Sequence, residues 1–396
     1  MLVPAKRKSK SSGWQSLLAV IPMLVLAGCA SEPPKKDTAP SVKAPPPQPV
    51  VVHKPQVKTP PPPPKPLPPL ELVGSLLPAG LPDRAGWAAD IVASFEALNI
   101  APNKGNVCAV LAEIEQESSF QSEPVVFGLS KIVRQELEAR RQRYSIPQWL
   151  MDKSLARKSP NGQTYNERID ALKTENDVND LYEDMISEIP LGKKFLADYN
   201  PVHTGGPMQV SLSFANSYAA TRRYPFAHNG SLRDALFTRR GGLFFGVAYL
   251  LDYPANYESL TFRFADYNAG RYSSRNAAFQ NAVSSLSGVL LEPDGDLLNY
   301  QDGAAVEDPS QTMQALLAIA PRLNMDKTAI FRNLLLEKSP AFEQSQLYAR
   351  VYALAPSLPR AIIPDIAVRS VKFSRKLTTT GYVKRVDSRY RNCLKK

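Results

Sequence analysis

A proline-dense stretch between residue 31 and about residue 70 limits where a folded core can begin in this chain. Its densest runs are Pro45–Pro47 and Pro60–Pro64, interleaved with lysine and valine. Proline fixes φ and has no backbone N–H, so such a stretch favours the polyproline II conformation and cannot bury a core. We therefore predict a disordered linker over residues 29–71 and a globular part from residue 72 onward.

The residues before the linker have the pattern of a secretory signal. Residues 6–10 contain four basic side chains, and an apolar run from Leu17 to Ala27 follows. This run is too short to cross a bilayer of ~30 Å as a helix. It ends in Leu26-Ala27-Gly28-Cys29, which resembles a lipobox and implies cleavage after residue 28 and lipid attachment to Cys29. The alternative is an ordinary secretory signal with an incidental cysteine.

The net charge of the chain limits the kinds of partner that we expect. The net charge is +11 at pH 7, and outside the cytoplasm a basic protein meets anionic lipid or the acidic peptides of peptidoglycan, not nucleic acid. In many enterobacterial lipoproteins an Asp after the lipidated cysteine signals inner-membrane retention, and Ala30-Ser31 stands here instead. We therefore predict an outer-membrane anchor that faces the periplasm. Protein partners are not predicted.

The remaining cysteines and histidines bear on cross-links and metals. Cys108 and Cys393 are left after Cys29, and an oxidising compartment allows them to pair. The alternative is a buried free thiol at Cys108, which lies in an apolar helical segment. His203 and His228 are the histidines outside the linker, too few for a histidine-rich zinc site. We predict no metal and no cofactor.

The globular part is predicted to be mostly helical. Its first helices are expected at Trp87–Leu98 and at Val107–Glu117, the latter with Asn106 as N-cap. The run Leu243–Leu251 is apolar nearly all round, which is typical of a helix buried inside a domain. Further amphipathic helices are predicted at the following places: Val125–Arg143, Asn166–Leu172, Asp177–Ile189, and after Asp308, Asp326 and Ser339.

The last segment, Pro359–Lys396, is basic and carries a β-branched pattern that favours a strand or irregular structure. Two roles are open for its end, residues 370–396. It could lie against the acidic cell wall or lipid surface, or it could be a solvated charged tail.

Three short segments contain residue types that could carry chemistry. They are Gln116-Glu117-Ser118-Ser119-Phe120, Gly206-Pro207-Met208-Gln209-Val210 and Asp266-Tyr267-Asn268-Ala269-Gly270. The first ends a helix that also contains Glu113 and Glu115. At about 100° per residue, helical periodicity favours Glu117 slightly over Glu115, and more over Glu113, as the carboxylate beside the apolar stripe.

Together the three segments resemble the motifs of the lytic transglycosylases of the lysozyme-like superfamily. The run Gly246-Val247-Ala248-Tyr249-Leu250 with Tyr257 also resembles the buried helix that precedes the third motif in that family. The resemblance covers roughly residues 87–290. It implies a mainly α fold with a lysozyme-like domain over residues 72–300, a helical insertion at about 122–204 and a C-terminal extension over 301–396.

The resemblance also implies a reaction. One glutamic acid protonates the oxygen between N-acetylmuramic acid and N-acetylglucosamine, then takes the proton of the muramic 6-hydroxyl as a 1,6-anhydro ring closes. By motif, that acid is Glu117. Tyr267 would lie beside it and hydrogen-bond it, and the residues expected to contact the glycan strand of peptidoglycan are Ser118, Met208, Gln209, Asn268 and Gly270. The alternative for Tyr267 and Met208 is a purely structural role in core packing. Asp266 is either a solvated neighbour of the site or a residue that modestly shifts the pKa of the acid.

One departure from the family leaves the function open. Nearly ninety residues separate Glu117 from Gly206, where the family often has a few tens. The inserted helices could roof the sugar groove, or close it and leave a protein that binds without cleaving. The predicted function is a membrane-anchored murein lytic transglycosylase. The alternatives are a catalytically silent peptidoglycan-binding or scaffolding lipoprotein and a hydrolase resembling goose-type lysozyme.

Overall fold

The computed structural model describes residues 67–228, 230–301, 303–367 and 377–396, without the side chain of residue 198. The predicted signal peptide, Cys29 and the linker up to residue 66 lie outside these residues. The described part is mainly helical, which confirms the predicted class. No helix in the described ranges is both long enough and apolar enough to span a membrane.

Eighteen α-helices and two short antiparallel hairpins are present in the described residues. The helices of the first half are α1 (Pro69–Leu76), α2 (Arg84–Leu98), α3 (Lys104–Glu117), α4 (Leu129–Arg143), α5 (Gln148–Leu155), α6 (Tyr165–Ala171), α7 (Glu175–Ser187), α8 (Gly192–Leu196) and α9 (Leu212–Thr221). Those of the second half are α10 (Leu232–Phe237), α11 (Arg239–Leu251), α12 (Leu260–Ala269), α13 (Ser273–Ser287), α14 (Gln311–Ala318), α15 (Ala320–Leu323), α16 (Lys327–Leu334), α17 (Gln346–Leu354) and α18 (Thr379–Leu394).

The hairpins and two 3-10 helices complete the element order. The strands are β1 (Thr204–Gly205) with β2 (Val210–Ser211), and β3 (Tyr300–Gln301) with β4 (Ala304–Ala305). The 3-10 helices are Ala197–Tyr199 and Pro340–Gln344. In the β1–β2 hairpin Thr204 faces Ser211 and Gly205 faces Val210.

Three apolar cores hold the helices together. The largest is built by α1, α2, α3, α11, α12 and α18. Within it α11 is buried on nearly all sides, as the apolar run Leu243–Leu251 predicted. The insertion has a small core of its own around Ile169, Val178 and Leu181. A third core joins α13 to helices α14–α17 around Phe279 and Phe342.

Several predicted helix starts need correction. The first helix begins at Pro69, inside the predicted linker, because proline is compatible with the first helical position. The N-cap of α3 is Asn103, whose Oδ1 accepts from the backbone N–H of Asn106 at 2.9 Å, so Asn106 itself is helical. The helix expected after Asp308 starts after Ser310, which caps it instead.

Of the two remaining predicted helix starts, one is confirmed and the other begins a different type of helix. Asp326 caps α16 as predicted, since its Oδ1 accepts from the N–H of Ala329 at 2.7 Å. Ser339 precedes a 3-10 helix rather than an α-helix.

The C-terminal segment is the largest error of the sequence prediction. Residues 361–366 are irregular, but Thr379–Leu394 is a helix and not a strand. Its β-branched residues weigh against a helix in isolation, whereas burial of one face stabilises it in the fold. The buried side chains at helical spacing are Thr379, Tyr382, Val383, Val386 and Cys393.

A disulfide joins α18 to α3. Cys108 and Cys393 are bonded, with their Cα atoms 5.5 Å apart and 285 residues between them in the sequence. Of the two alternatives for Cys108, the structure therefore contains the cross-link and not the free thiol.

A close approach of two glycines seats the β1–β2 hairpin on α11. A Cβ on Gly206, whose φ is +72°, would lie 2.6 Å from the Cα of Gly242 and 2.7 Å from the Leu236 carbonyl oxygen. A Cβ on Gly242 would lie 2.7 Å from the Cα of Gly206. Any side chain at either position would push the hairpin off the helix.

We expect loss of the cross-link to lower the free energy of unfolding. A disulfide that closes a long loop typically stabilises a protein by about 2–5 kcal/mol, in the usual account because it restricts the unfolded chain. Chemical denaturation should therefore give a lower midpoint for the Cys108→Ser, Cys393→Ser double variant. Reductant should lower the wild-type midpoint in the same way and leave the double variant unchanged. Equal midpoints for all four samples would contradict the prediction.

We expect Gly206→Ala to destabilise the protein by about 2 kcal/mol or more, because it combines a steric clash with a left-handed backbone conformation. Gly242→Ala should be destabilising through the clash alone. Gly74 lies within α1, and a methyl group added there would have no atom within contact distance, so Gly74→Ala is the matched control. Its unfolding midpoint should stay the same or rise slightly. A Gly206→Ala midpoint equal to that of the control would refute the close packing.

Candidate active site

Two carboxylates on α3 face the C-terminal helix. Glu113 and Glu117 are one turn apart, and Glu113 is completely buried while Glu117 is partly exposed. Glu115 points to solvent. The periodicity argument placed Glu113 last of the three as a residue beside the apolar stripe, and this was wrong. It could not anticipate that α18 covers that face of α3.

Tyr382 of α18 links the two carboxylates. Its hydroxyl lies 2.6 Å from Oε2 of Glu113 and 2.6 Å from Oε1 of Glu117. The tyrosine is completely buried. Both distances lie within the range of O–H···O hydrogen bonds.

The surroundings of Glu113 favour its neutral form. Burial raises the pKa of this carboxyl well above its ordinary range, and the nearby Glu117 raises it further. The hydrogen bond with Tyr382 and the charge of Arg389 act in the opposite direction. The second oxygen of Glu113, Oε1, has no hydrogen-bond partner in the described residues.

Arg389 brings a positive charge to the same end of α3. Its Nη1 donates to Oε1 of Gln116 at 2.9 Å, and its Nε lies 3.3 Å from Oε1 of Glu115. The guanidinium is thus held on the outer side of α3. There it partly offsets the negative charge of the carboxylates.

Tyr267 lies next to both carboxylates. Burial raises the pKa of its phenol well above the ordinary value, and Glu113 and then Glu117 add to this effect. Its hydroxyl donates to the backbone carbonyl oxygen of Met208 at 2.6 Å. Because a phenol has one hydrogen, the hydrogen of Tyr267 goes to Met208. Tyr267 therefore lies near Glu117, whose charge raises the pKa of the phenol, but donates its hydrogen to Met208.

The second motif supports Tyr267 from its backbone. The side chain of Met208 is completely buried and packs against Gly246, where a Cβ would lie 2.3 Å from its sulfur. The side chain of Met208 therefore packs in the core, as the alternative interpretation expects. Gln209, with a φ of 50°, lines the groove described below, and its Nε2 donates to the Gly206 carbonyl oxygen at 3.0 Å.

The third motif is held in place by Asp266, which is buried and therefore not the solvated neighbour of the first alternative. Asp266 is 1% exposed and accepts five hydrogen bonds. The donors are the hydroxyls of Tyr253, Tyr257 and Ser273 and the backbone N–H groups of Tyr272 and Ser274. Its carboxylate fixes the end of α12 and the turn that follows, and so the position of the motif.

Asn268 and Gly270 end this motif. Asn268 lines the groove, and its Oδ1 accepts from the hydroxyl of Thr379, the first residue of α18, at 3.0 Å. Gly270 adopts a φ of 110° and closes α12, a conformation that favours glycine. The C-terminal helix thus contacts the first motif through Tyr382 and the third through Thr379.

The serines after Glu117 serve the turn at the end of α3. The Ser118 hydroxyl donates to the Ile114 carbonyl oxygen at 3.1 Å, and this serine is buried at the edge of the groove. Ser119 and Phe120 both have positive φ, at 51° and 60°. The ring of Phe120 packs edge-on against Trp87, with 5.6 Å between centroids, which anchors this turn.

A groove of about 1690 Å³ opens over these residues. Glu117, Tyr267 and Asn268 lie in its floor, and one wall is formed by the insertion, for example by Leu137 and Tyr182. The insertion therefore borders the groove and leaves Glu117 in contact with it. Among the described residues, seven carboxylates line the groove against one arginine: Glu117, Glu136, Glu175, Glu292, Asp294, Asp296, Asp365 and Arg140. Its walls are acidic although the whole chain is basic.

No group of three or more His, Cys, Asp or Glu side chains suited to a metal ion occurs in the part of the chain that the structure describes.

The residues that sequence reasoning missed lie mostly on one helix. Periodicity ranks Glu113 last of the three glutamates. An irregular or strand structure over residues 359–396 gives no reason to place Tyr382, Thr379 and Arg389 beside α3. A usable signal was present. The helical spacing of Tyr382, Val386 and Cys393 places the tyrosine and the cysteine on one face, so pairing of Cys393 with Cys108 brings Tyr382 to α3.

Two comparisons with known proteins find matches to this chain. The chain is 42% identical over 385 residues to the uncharacterized protein YaiW of Escherichia coli (strain K12), covering 96% of this chain and 98% of the relative. No solved structure matches. Residues 80–396 match the family described as protein of unknown function (DUF1615). The match takes in every residue of the candidate site, including those of α18, and the chain belongs to this family.

Proposed function

We propose that this protein is a membrane-anchored murein lytic transglycosylase in which Glu117 acts as general acid and then as general base. The observation that carries the proposal is that three motifs far apart in the sequence meet at one groove. Glu117 ends α3, Gln209 lies in the β1–β2 hairpin, and Tyr267 and Asn268 end α12. Their meeting favours a shared role over three chance matches. A lysozyme-like fold for the core is part of the same proposal.

The chemistry needs a carboxyl group that holds a proton near neutral pH and then releases it. A glycosidic oxygen is a poor leaving group and must be protonated as the bond breaks. Glu117 is suited to this because it borders the groove and lies beside the buried Glu113 and Tyr267. After bond cleavage, the carboxylate takes the proton of the muramic 6-hydroxyl as that oxygen closes the anhydro ring. No water is consumed.

The rest of the groove suits an uncharged polymer of sugars. Its carboxylates and amides accept hydrogen bonds from hydroxyl and N-acetyl N–H groups. At about 1690 Å³ it is larger than a site for one small molecule, which usually occupies ~300–1,000 Å³. We assign Gln209 and Asn268 to the contacts with the glycan strand. Met208 supports Tyr267 through its backbone.

The proposed location follows from the N-terminal residues, which lie outside the described part. Lipid on Cys29 would anchor the protein to the outer membrane. About 40 residues of polyproline II at ~3.1 Å each would allow the groove to reach on the order of 100 Å into the periplasm.

We expect Glu117→Gln to abolish release of 1,6-anhydro-muropeptides from purified sacculi, with at least a ~100-fold loss and no change in the unfolding midpoint. Glu115→Gln, two residues away on the solvent side of α3, is the matched control and should retain activity. Products are identified by mass spectrometry.

The same assay separates the alternatives. A reducing end in place of the anhydro ring would identify a hydrolase. If the wild type binds sacculi but releases no fragments, the protein is a silent binder and the proposed function is wrong.

A further inference from the structure

We infer that Glu113 carries a proton and that Glu113, Tyr382 and Glu117 form a hydrogen-bonded chain able to pass this proton to Glu117. The protonation is argued from geometry and burial alone. The use of the proton in catalysis rests on the proposed function.

The contacts between Glu113, Tyr382 and Glu117 require two hydrogens. Three oxygen atoms stand in a row, Oε2 of Glu113, the hydroxyl of Tyr382 and Oε1 of Glu117, with 2.6 Å across each gap. Each gap at this distance needs one hydrogen, but the phenol supplies a single hydrogen. The second must therefore come from one of the two carboxyl groups. Two ionised carboxylates facing one hydroxyl would leave one contact without a hydrogen.

Burial decides which carboxyl holds it. Glu113 is fully enclosed, and its Oε1 has no hydrogen-bond donor among the described residues to stabilise a negative charge. An isolated charge in such a place costs several kcal/mol, which a carboxyl avoids by staying neutral. Glu117 is partly exposed to the groove and tolerates the charge. The resting arrangement is therefore a neutral Glu113 that donates to Tyr382, and a Tyr382 that donates to an ionised Glu117.

Other charged or titratable groups around Glu113 do not reverse this assignment. On α3 itself, the negative charge of Glu117 disfavours a second charge at Glu113. Arg389 of α18 favours ionisation, but it is engaged with Gln116 and Glu115 on the outer side of α3. Tyr267 of α12 and Tyr382 are neutral, since burial raises the pKa of both phenols well above the ordinary value.

The hydrogen-bonded chain of Glu113, Tyr382 and Glu117 permits a proton transfer in which each broken O–H bond is replaced by a new one. The O–H bond at Glu113 breaks as one forms at the Tyr382 oxygen, and the O–H bond of Tyr382 breaks as one forms at Glu117. The phenol is unchanged overall, and the negative charge moves from Glu117 to Glu113. In the proposed reaction this gives Glu117 the proton for its acid step without water entering the groove. The base step returns the proton, so the pair holds one proton before and after each cycle.

Infrared spectroscopy at neutral pH tests the protonation without any need for activity. The wild-type spectrum should contain the C=O stretching band of a protonated carboxylic acid that is missing in Glu113→Gln, whose amide keeps the shape and a donor toward Tyr382. Glu115→Gln should retain the band. Tyr382→Phe should retain the band at a changed frequency, because the proton of Glu113 loses its acceptor. If Glu113→Gln fails to fold, this frequency change tests the same protonation. An unchanged band in Glu113→Gln would overturn the inference.

The pH dependence of stability gives a second readout. A carboxyl whose pKa is raised on folding stabilises the protein fully at pH values below its unfolded-state pKa, and this contribution is lost as the pH rises through the folded-state value. The free energy of unfolding of the wild type should therefore fall relative to Glu113→Gln as the pH is raised. A constant difference across the pH range would count against a protonated Glu113.

Kinetics on sacculi test the relay itself. Glu113→Gln and Tyr382→Phe should each lower kcat by about 100-fold at neutral pH, leave KM unchanged and move the optimum to more acidic pH, where Glu117 takes its proton from water. Tyr390→Phe on the same helix and Glu115→Gln should match the wild type. Equal pH profiles for all variants would refute the relay. If the wild type forms no anhydro product, the proposed function fails, while the infrared result still decides the protonation of Glu113.

Discussion

The contact between α3 and α18 is the interaction on which the candidate site depends. Tyr382 of α18 supplies the hydroxyl that bonds both Glu113 and Glu117. With α18 in place, one carboxylate is enclosed, the other borders the groove, and a buried phenol lies between them. The disulfide between Cys108 and Cys393 makes this contact covalent, and the bond of Thr379 to Asn268 extends it to the third motif.

Sequence reasoning recovered the parts of this architecture that local patterns encode. The mainly helical class, the buried run of α11 and the capping of α16 by Asp326 follow from periodicity and capping rules, and the structure confirms them. What failed depended on distant packing. The burial of Glu113 and the helical state of residues 379–394 both arise because two segments more than 260 residues apart cover each other. The buried position of Asp266 likewise depends on hydrogen-bond donors from two tyrosines and a turn, and helical periodicity does not predict that these groups meet.

The groove combines elements from all three cores. Its floor belongs to the largest core, one wall to the insertion, and another to the acidic segment after α13 that packs with the third core. The helices of residues 122–204 are therefore a part of the groove. The acidic groove walls contrast with the net charge of +11 of the whole chain, most of which comes from lysine and arginine residues before residue 67.

The long separation between α3 and α18 also sets an order of events during biogenesis. Tyr382 follows Glu117 by 265 residues, so a chain that emerges from its N-terminus presents the glutamates long before the helix that completes them. Until α18 docks, the hydroxyl that bonds both Glu113 and Glu117 is missing. A chain in which α18 has not docked thus lacks the finished arrangement of Glu113, Tyr382 and Glu117. A protein proposed to cut the wall around its own cell would in this way acquire its reactive arrangement last.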